Sequence, residues 1–433
     1  MQPDLLTHLI AHWPDELSGL CHLELALSGG LDSCVLLHLL CRWRDEAGGP
    51  ALSAVHVHHG ISRHADDWAA FCGQLCVPHA VPLRVEYVSL QRQGGQSLEA
   101  VARQARYRAF AASPAKVIAL AQHADDQAET ALLQLLRGGG PRALAGMPRC
   151  RTWQGKQLWR PLLTVGRSVL LQYAEEHGLQ WVEDDSNADA ANYLRNYLRL
   201  NTLPALRQRV PQLDAHLLRS TRRMADAASI LDDMAALDWQ QVGGPEGLSV
   251  PLLLQLSLPR QRNLVLYWLA QQATSLPAPD ALDVLLAALA AGQAARLALP
   301  DAELFSYRQA LSLVRVVASA PPWPQQCRVG EVWQCEHGML QWQRGFGLPE
   351  DWQGAALSLC ARQPGAMLPV AVGRKPLKKL FQEHGIPALL RNDWPVLQGA
   401  DGALLGVPSV ALDVQLCQPG GWWPLWIPNA IRR

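Results

Sequence analysis

The chain has 433 residues, 49% of them hydrophobic, enough to fill more than one core and to predict roughly two to four domains. Lys+Arg and Asp+Glu both number 38, so a chain-wide field attracting nucleic acid is excluded and any basic surface must be local. The first twenty residues carry Asp4, Asp15 and Glu16 but no Lys or Arg, and no uncharged apolar run reaches about 18 residues. Both features argue against an export signal or a membrane helix and predict a cytoplasmic protein.

From Leu23 onward, apolar runs alternate with helical patterns. Leu23 to Ser28, Leu52 to Val57, Leu83 to Ser89 and Lys116 to Ala121 are predicted strands, and Leu31 to Trp43, His64 to Cys76 and Ser97 to Ala112 are predicted amphipathic helices. Such alternation builds a parallel sheet covered by helices, whose ligands bind at the carboxyl ends of the strands. Past about Leu200 the alternation stops. Leu206 to Val242 and Pro251 to Gln272 read as helical, and Arg296 to Val317 as two strands turning at Pro300 and Asp301. Three prolines between Ala320 and Pro324 mark a boundary, and a small mixed domain follows from about Gly354. The predicted division is therefore a catalytic domain over residues 1–215, a mainly helical domain over 216–320, a linker over 321–353 and a terminal domain over 354–433.

The ten cysteines contain no CxxC pair, and Cys72 with Cys76 reads as two small buried side chains on one helix rather than a zinc site. Most of the sixteen tryptophans should be core.

Chemistry concentrates first at Ser28, Gly29, Gly30, Leu31, Asp32 and Ser33, between the first strand and its helix. Two glycines allow close backbone approach, consecutive N–H groups cradle an anion, and the helix amino end favours phosphate. The loop is neither GxxxxGK[ST] nor GxGxxG, and an acid beside phosphates implies a bridging magnesium ion. A second constellation, Ala121 to Thr130, follows the fourth strand. There Glu129 lies one helical turn beyond Asp125 and Asp126, with His123 adjacent, so carboxylates converge on a metal or an ammonium ion, unless they only complement the helix dipole.

The hexapeptide SGGLDS resembles the pyrophosphate loop of N-type ATP pyrophosphatases, which adenylate an oxygen and release pyrophosphate. HADDQAET, LLRGGG, Ala145-Gly146-Met147, HVHHG at His56 to Gly60, Glu99 to Tyr107, RPLL at Arg160 to Leu163, EDDSN at Glu183 to Asn187, and Tyr193, Arg195, Asn196 and Arg199 together are similar to the tRNA(Ile)-lysidine synthetases. Gly373 to Leu397 resembles that family's carboxyl-terminal tRNA-binding domain, whereas about Asp226 to Gln363 matches only in helical character.

The resemblance implies an α/β fold: a Rossmann-like, parallel-sheet PP-loop catalytic domain, then a helical domain and a small mixed α/β terminal domain. It also implies ligation of free L-lysine to carbon 2 of the wobble cytidine in the CAU anticodon of isoleucine tRNA, through an adenylated base, consuming ATP with Mg2+. In that reading Ser28 to Ser33 hold ATP, Asp32 and Glu129 hold magnesium, and Asp125, Asp126 and more weakly His123 bind and deprotonate the lysine amine. Arg103 and Arg106, which with Arg108 form a basic helix face that solvent alone could explain, are drawn to the active-site mouth. HVHHG reads as packing and nucleotide contact rather than a metal site.

Seven arginines and one acid lie between Arg195 and Arg223, and three of only five lysines fall at Lys375, Lys378 and Lys379. Arg195, Arg199, Arg207, Arg219, Arg222, Arg223 and Arg374 with those lysines are therefore the expected tRNA contacts. A tRNA thiolase is the alternative, disfavoured by the lack of CxxC. Amidating or NAD-forming relatives would not need the basic segments, and a non-catalytic RNA binder would not need the acids. The oligomeric state stays open, a homodimer included.

Overall fold

The computed structural model describes residues 4–60, 62–90, 98–183, 194–245 and 247–432. Asp184 to Asn187 and Tyr193, part of the expected family pattern, lie outside the described residues. The chain divides into two units, Met1–Ile230 and Leu231–Arg433.

In the first unit the strands are β1 (His22–Ala26), β2 (Ala51–His58), β3 (Leu83–Tyr87), β4 (Val117–Ala119), β5 (Cys150–Trp153) and β6 (Lys156–Trp159). The helices are α1 (Leu5–Ala11), α2 (Leu31–Ala47), α3 (Ala65–Cys76), α4 (Leu98–Ala111), α5 (Ala124–Leu136), α6 (Pro141–Leu144) and α7 (Arg167–Glu176). The sheet order is β3-β2-β1-β4-β6-β5, parallel throughout except for β5. Leu25 of β1 is in register with Ala54 of β2 on one side and with Ala119 of β4 on the other, all three fully buried. Burial on both faces explains why these strands read as nearly continuous apolar runs. From β1 the chain winds outward to β2 and β3, then returns to place β4 on the opposite flank. The carboxyl ends of β1 and β4 therefore abut at the switch point where open α/β sheets bind ligands.

Cys72 and Cys76 are buried as expected from their helical spacing, and burial pushes their thiols up to about 12 and about 11. His38 on α2 lies against Tyr173, whose hydroxyl is 2.9 Å from its Nδ1, and against the His177 ring. Burial first, then the neighbouring His177, His79 and Arg42, lowers His38 to about 4. A histidine depressed on folding keeps its full stabilising contribution above the unfolded value near 6.5 and loses it as pH falls toward 4, because only the unfolded chain takes up the proton there. Melting temperature should accordingly fall over that window. The decline should be shallower in His38→Gln, measured by thermal melts at fixed ionic strength; an unchanged slope would exclude His38 as the cause.

After α7 come α8 (Leu194–Tyr197), a π-helical turn Leu198–Thr202, α9 (Leu203–Arg209) and α10 (Leu213–Val242). The single helical stretch expected from Leu206 is interrupted at Pro211, which supplies no N–H to a continuing helix.

The second unit is less helical than expected. Helices Leu258–Gln271 and Pro279–Ala290 pack on an antiparallel sheet around Leu264, Leu269, Leu286, Leu304 and Leu311. The two strands predicted between Arg296 and Val317 are three: Arg296–Ala298, Ala302–Tyr307 and Ala310–Val317. The second turn falls on Arg308 and Gln309, with φ of 45° and 68°. Tight two-residue hairpin turns demand such left-handed backbone, yet neither residue is the Gly or Asn that usually signals one.

The expected linker over 321–353 carries strands Gln325–Arg328, Trp333–Cys335 and Gly338–Gly347. Its Cys327, Val329, Leu340 and Leu348 are buried in one core with Leu359, Phe381, Leu397 and Trp426, so hydrophobic burial makes it part of the terminal fold. That fold is mainly antiparallel, with one short helix, Leu377–Glu383. Among the described residues no helix is long and apolar enough to cross a membrane.

Candidate active site

At the end of β1 the chain turns through Gly29, at φ 87°, and Gly30 caps α2. A Cβ on Gly29 would come within 3.1 Å of a Val182 methyl and 3.2 Å of the Cys72 sulfur, so both backbone angle and space require glycine. Val182 N–H donates to the Gly29 carbonyl at 2.9 Å. The Ser33 hydroxyl accepts from Gly29 N–H at 3.2 Å and donates to the Gly30 carbonyl at 2.9 Å, while Ser28 Oγ accepts from Gly30 N–H at 3.4 Å. These bonds shape the loop; Ser33 N–H donates to the Gly30 carbonyl at 3.1 Å, and helix geometry leaves the Leu31 and Asp32 N–H groups without an intrahelical acceptor. His56 from β2 supports it from beneath, its Nδ1 2.9 Å from the Leu27 carbonyl.

Asp32 projects from that first turn. Its Oδ1 is buried with no hydrogen-bond partner, and its Oδ2 is 3.5 Å from Nε2 of His123, the residue preceding α5. The loop after β1 and the turn after β4 thus touch, as their adjacent parallel strands require. His123 is 3% exposed, and its Nε2 also lies 3.5 Å from Asp126 Oδ2 while Nδ1 lies 3.6 Å from Asp125 Oδ2. Burial alone would push this imidazole down, but the carboxylates of Asp125, Asp32 and Asp126 outweigh it and raise it to about 10. Three carboxylates around one imidazole thus favour its charged form in the folded protein.

The acids of α5 meet arginines rather than solvent. Glu129, 1% exposed, accepts Arg195 Nε at 2.9 Å on Oε2, and Arg199 on both oxygens, Nε at 2.5 Å and Nη2 at 3.0 Å. Asp126 Oδ1 accepts Arg195 and Arg199 at 3.2 Å each, and its Oδ2 accepts His123 N–H at 3.1 Å. Asp125 accepts Arg207 at 2.6 Å and the Arg167 backbone N–H at 2.8 Å. Burial would raise Asp125, but His123, the Arg167 N–H and Arg207 hold it far below the usual carboxylate range.

Two expectations change in consequence. Arg195, Arg199 and Arg207, read from sequence as phosphate contacts, bond acids 66 to 82 residues away in the chain, and Arg207 also bonds Asp214, seven residues on, at 2.9 Å. Glu129, read as a magnesium ligand, has both oxygens committed and does not fit a metal, whereas the unpartnered Asp32 Oδ1 does. Among the described residues no group of three or more His, Cys, Asp or Glu side chains is placed to hold a metal. Magnesium held by one carboxylate and substrate phosphates needs no such group.

The remaining expected contacts are carried by other elements. Arg103 on α4 rests on the Tyr107 ring, 5.0 Å from its centroid, and Arg106 is exposed beside His59. Arg219, Arg222 and Arg223 are exposed on α10. Arg374, Lys378 and Lys379 are exposed as well, while Lys375 pairs with Glu383 at 2.9 Å.

Three residues given no individual role from sequence help build the site. The Gln127 amide brackets Met147, donating to its carbonyl at 2.8 Å and accepting its N–H at 2.7 Å, beside Gly146 at φ 71°. Arg160, 3% exposed at the end of β6, donates to Gln122 and to the Pro148 carbonyl at 3.1 and 2.9 Å. Arg167 opens α7, and its guanidinium lies 4.0 Å from Asp32 Oδ1. HADDQAET and RPLL flagged the first two by resemblance, and nothing marked Arg167.

An anion cradle, one uncommitted carboxylate and a cation-loaded acidic cluster, set on neighbouring strand ends, define an ATP-using PP-loop enzyme; residues 6–206 match the PP-loop domain model. Residues 248–312 match the TilS substrate binding domain and 357–422 the TilS substrate C-terminal domain. The tRNA(Ile)-lysidine synthase of Chromobacterium violaceum is 46% identical, covering 97% of this chain and 98% of its own length. That of Escherichia coli O157:H7 is 40% identical over 86% of this chain and 88% of its own. A solved U34-tRNA thiolase from Methanococcus maripaludis aligns with TM-score 0.44 and 15% identity, over 51% of this chain and 78% of that one. The chain belongs to the tRNA(Ile)-lysidine synthase family.

Proposed function

We propose that the chain joins L-lysine to carbon 2 of the wobble cytidine in the CAU anticodon of isoleucine tRNA, giving lysidine and changing the codon read from AUG to AUA. The observation that carries this reading is the contact of Asp32, on the phosphate loop, with His123, which opens the acidic helix: one cleft serves both nucleotide and amine. In the first half-reaction the cytidine carbonyl oxygen attacks the α-phosphorus of ATP and pyrophosphate leaves. In the second the lysine ε-amine attacks carbon 2 and AMP leaves.

Within the loop Ser28 to Ser33, Leu31 and Asp32 present their N–H groups to the phosphates. Asp32 holds magnesium, which when bound neutralises charge on the departing pyrophosphate. Asp125 and Asp126 hold the lysine ammonium, which exchanges for one of the guanidinium groups now bonded there and so meets acceptors already arranged for a cation. The proton is lost to Asp125, to Asp126 or to water. Exposed Arg219, Arg222, Arg223, Arg374, Lys378 and Lys379 contact tRNA phosphates, sequence being read at the single-stranded anticodon loop.

The direct test is ATP-dependent incorporation of labelled lysine into unmodified isoleucine tRNA. No incorporation, with pyrophosphate release intact and sulfur transferred instead, would favour a thiolase. Asp126→Asn, which keeps the shape but removes the charge, is expected to slow lysine transfer by about 10²-fold or more and ATP–pyrophosphate exchange far less. Equal loss of both half-reactions would overturn the division between the two acid groups.

A further inference from the structure

We propose that Arg167 is a further catalytic residue of the adenylation step, its guanidinium meeting the β- and γ-phosphates of ATP and stabilising the pyrophosphate as it leaves. The inference rests on the function proposed above and adds a second cation to the phosphate end of the cleft.

Three observations place it. The segment leading into α7 is pinned to the acidic helix at two points: Ala124 N–H donates to the Val165 carbonyl at 2.9 Å, and Arg167 N–H donates to Asp125 Oδ2 at 2.8 Å. The Arg167 backbone is thus tied to the turn that carries His123 and Asp125. Its side chain reaches toward the phosphate loop, where Nε lies 4.0 Å from the otherwise unpartnered Asp32 Oδ1. It is also 57% exposed and makes no closer ion pair among the described residues, whereas Arg195, Arg199 and Arg207 are each bonded to carboxylates of α5 at 2.5 to 3.2 Å. An anion entering beside Asp32 therefore meets Arg167 without breaking a short salt bridge, while recruiting any of the other three would strip a carboxylate of its partner.

The chemistry asks for such a group. As the cytidine oxygen bonds to the α-phosphorus, the bond from that phosphorus to the α,β-bridging oxygen breaks and its electron pair stays on pyrophosphate. Negative charge grows at the phosphate end, where a planar fork of N–H donors is suited to receive it. No proton transfer is required of Arg167.

The test is tRNA-dependent exchange of labelled pyrophosphate into ATP, with lysine transfer from preformed adenylated tRNA measured in parallel. Arg167→Ala and the longer, uncharged Arg167→Gln should both lower exchange kcat by about 10²- to 10³-fold, the loss typical of one preorganised donor, and leave transfer within about threefold of wild type. Arg167→Lys should recover part of the exchange as a point charge without the fork. Having two replacements guards against one that fails to fold. Exchange at the wild-type rate with an unchanged KM for ATP in either folded variant would overturn the assignment. So would a selective rise in the KM for lysine, which would assign Arg167 to the amino-acid carboxylate. If the wild-type protein itself shows no tRNA-dependent exchange, the underlying function falls and this role with it.

Discussion

Replacing Asp32 by alanine is expected to abolish ATP–pyrophosphate exchange, by about 10³-fold or more, while leaving the melting temperature close to that of the wild type. The two halves of that expectation have separate causes. Asp32 Oδ1 accepts no hydrogen bond among the described residues, and the His123 imidazole that Oδ2 approaches at 3.5 Å keeps Asp125 and Asp126 beside it, so little native structure is lost with the side chain. The charge it supplies is needed where triphosphate and metal meet, and loss of electrostatic stabilisation there falls on the transition state. Lysine transfer from preformed adenylated tRNA should suffer much less. Exchange within about tenfold of wild type would show that another group holds the metal.

Glu129→Ala should have the opposite character. The wild-type carboxylate is buried against two guanidinium groups that are themselves only about a third exposed, at 29% and 36%. Removing one partner of a buried pair costs about 3 to 5 kcal/mol, and partial access of water to the two arginines favours the lower figure. At roughly 2 to 4 °C per kcal/mol for a unit of this size, the melting temperature should fall by about 6 to 12 °C. Both half-reactions should weaken together as α8 and the following turn lose their anchor on α5. A Glu129→Gln variant that melts like the wild type and loses only magnesium dependence would restore the metal-ligand role that the two arginines displace.

The parallel domain was legible because each cue was local. A glycine pair between an apolar run and a helix, and acids one helical turn apart, keep their meaning whatever the rest of the chain does. That the two cues share a cleft followed from the parallel sheet, since β1 and β4 are neighbours. What the sequence concealed was partnership over distance. Arg195, Arg199 and Arg207 form a basic cluster along the chain, but the first two find their counter-charges on α5 and Arg207 is shared between Asp125 there and Asp214, so linear charge density does not reveal which arginines are bonded inside the protein. The linker expected over 321–353 failed for a related reason: three prolines mark its start, while Val329 and Leu340 declare themselves core only against residues such as Phe381. The hairpin at Arg308 and Gln309 carries none of the usual turn residues. Arg167 lay in an ordinary helical pattern, and only the fold brings it beside Asp32.

Gly29 has Cys72 and Val182 at its back, residues contributed by distant stretches of the chain. A nascent polypeptide that has not yet emerged as far as Val182 lacks the rear wall of its nucleotide site, however early the glycines themselves were made. Competence to capture ATP therefore cannot precede the placing of Val182, and the nucleotide, binding the form in which that wall is present, draws the folding equilibrium toward it by mass action.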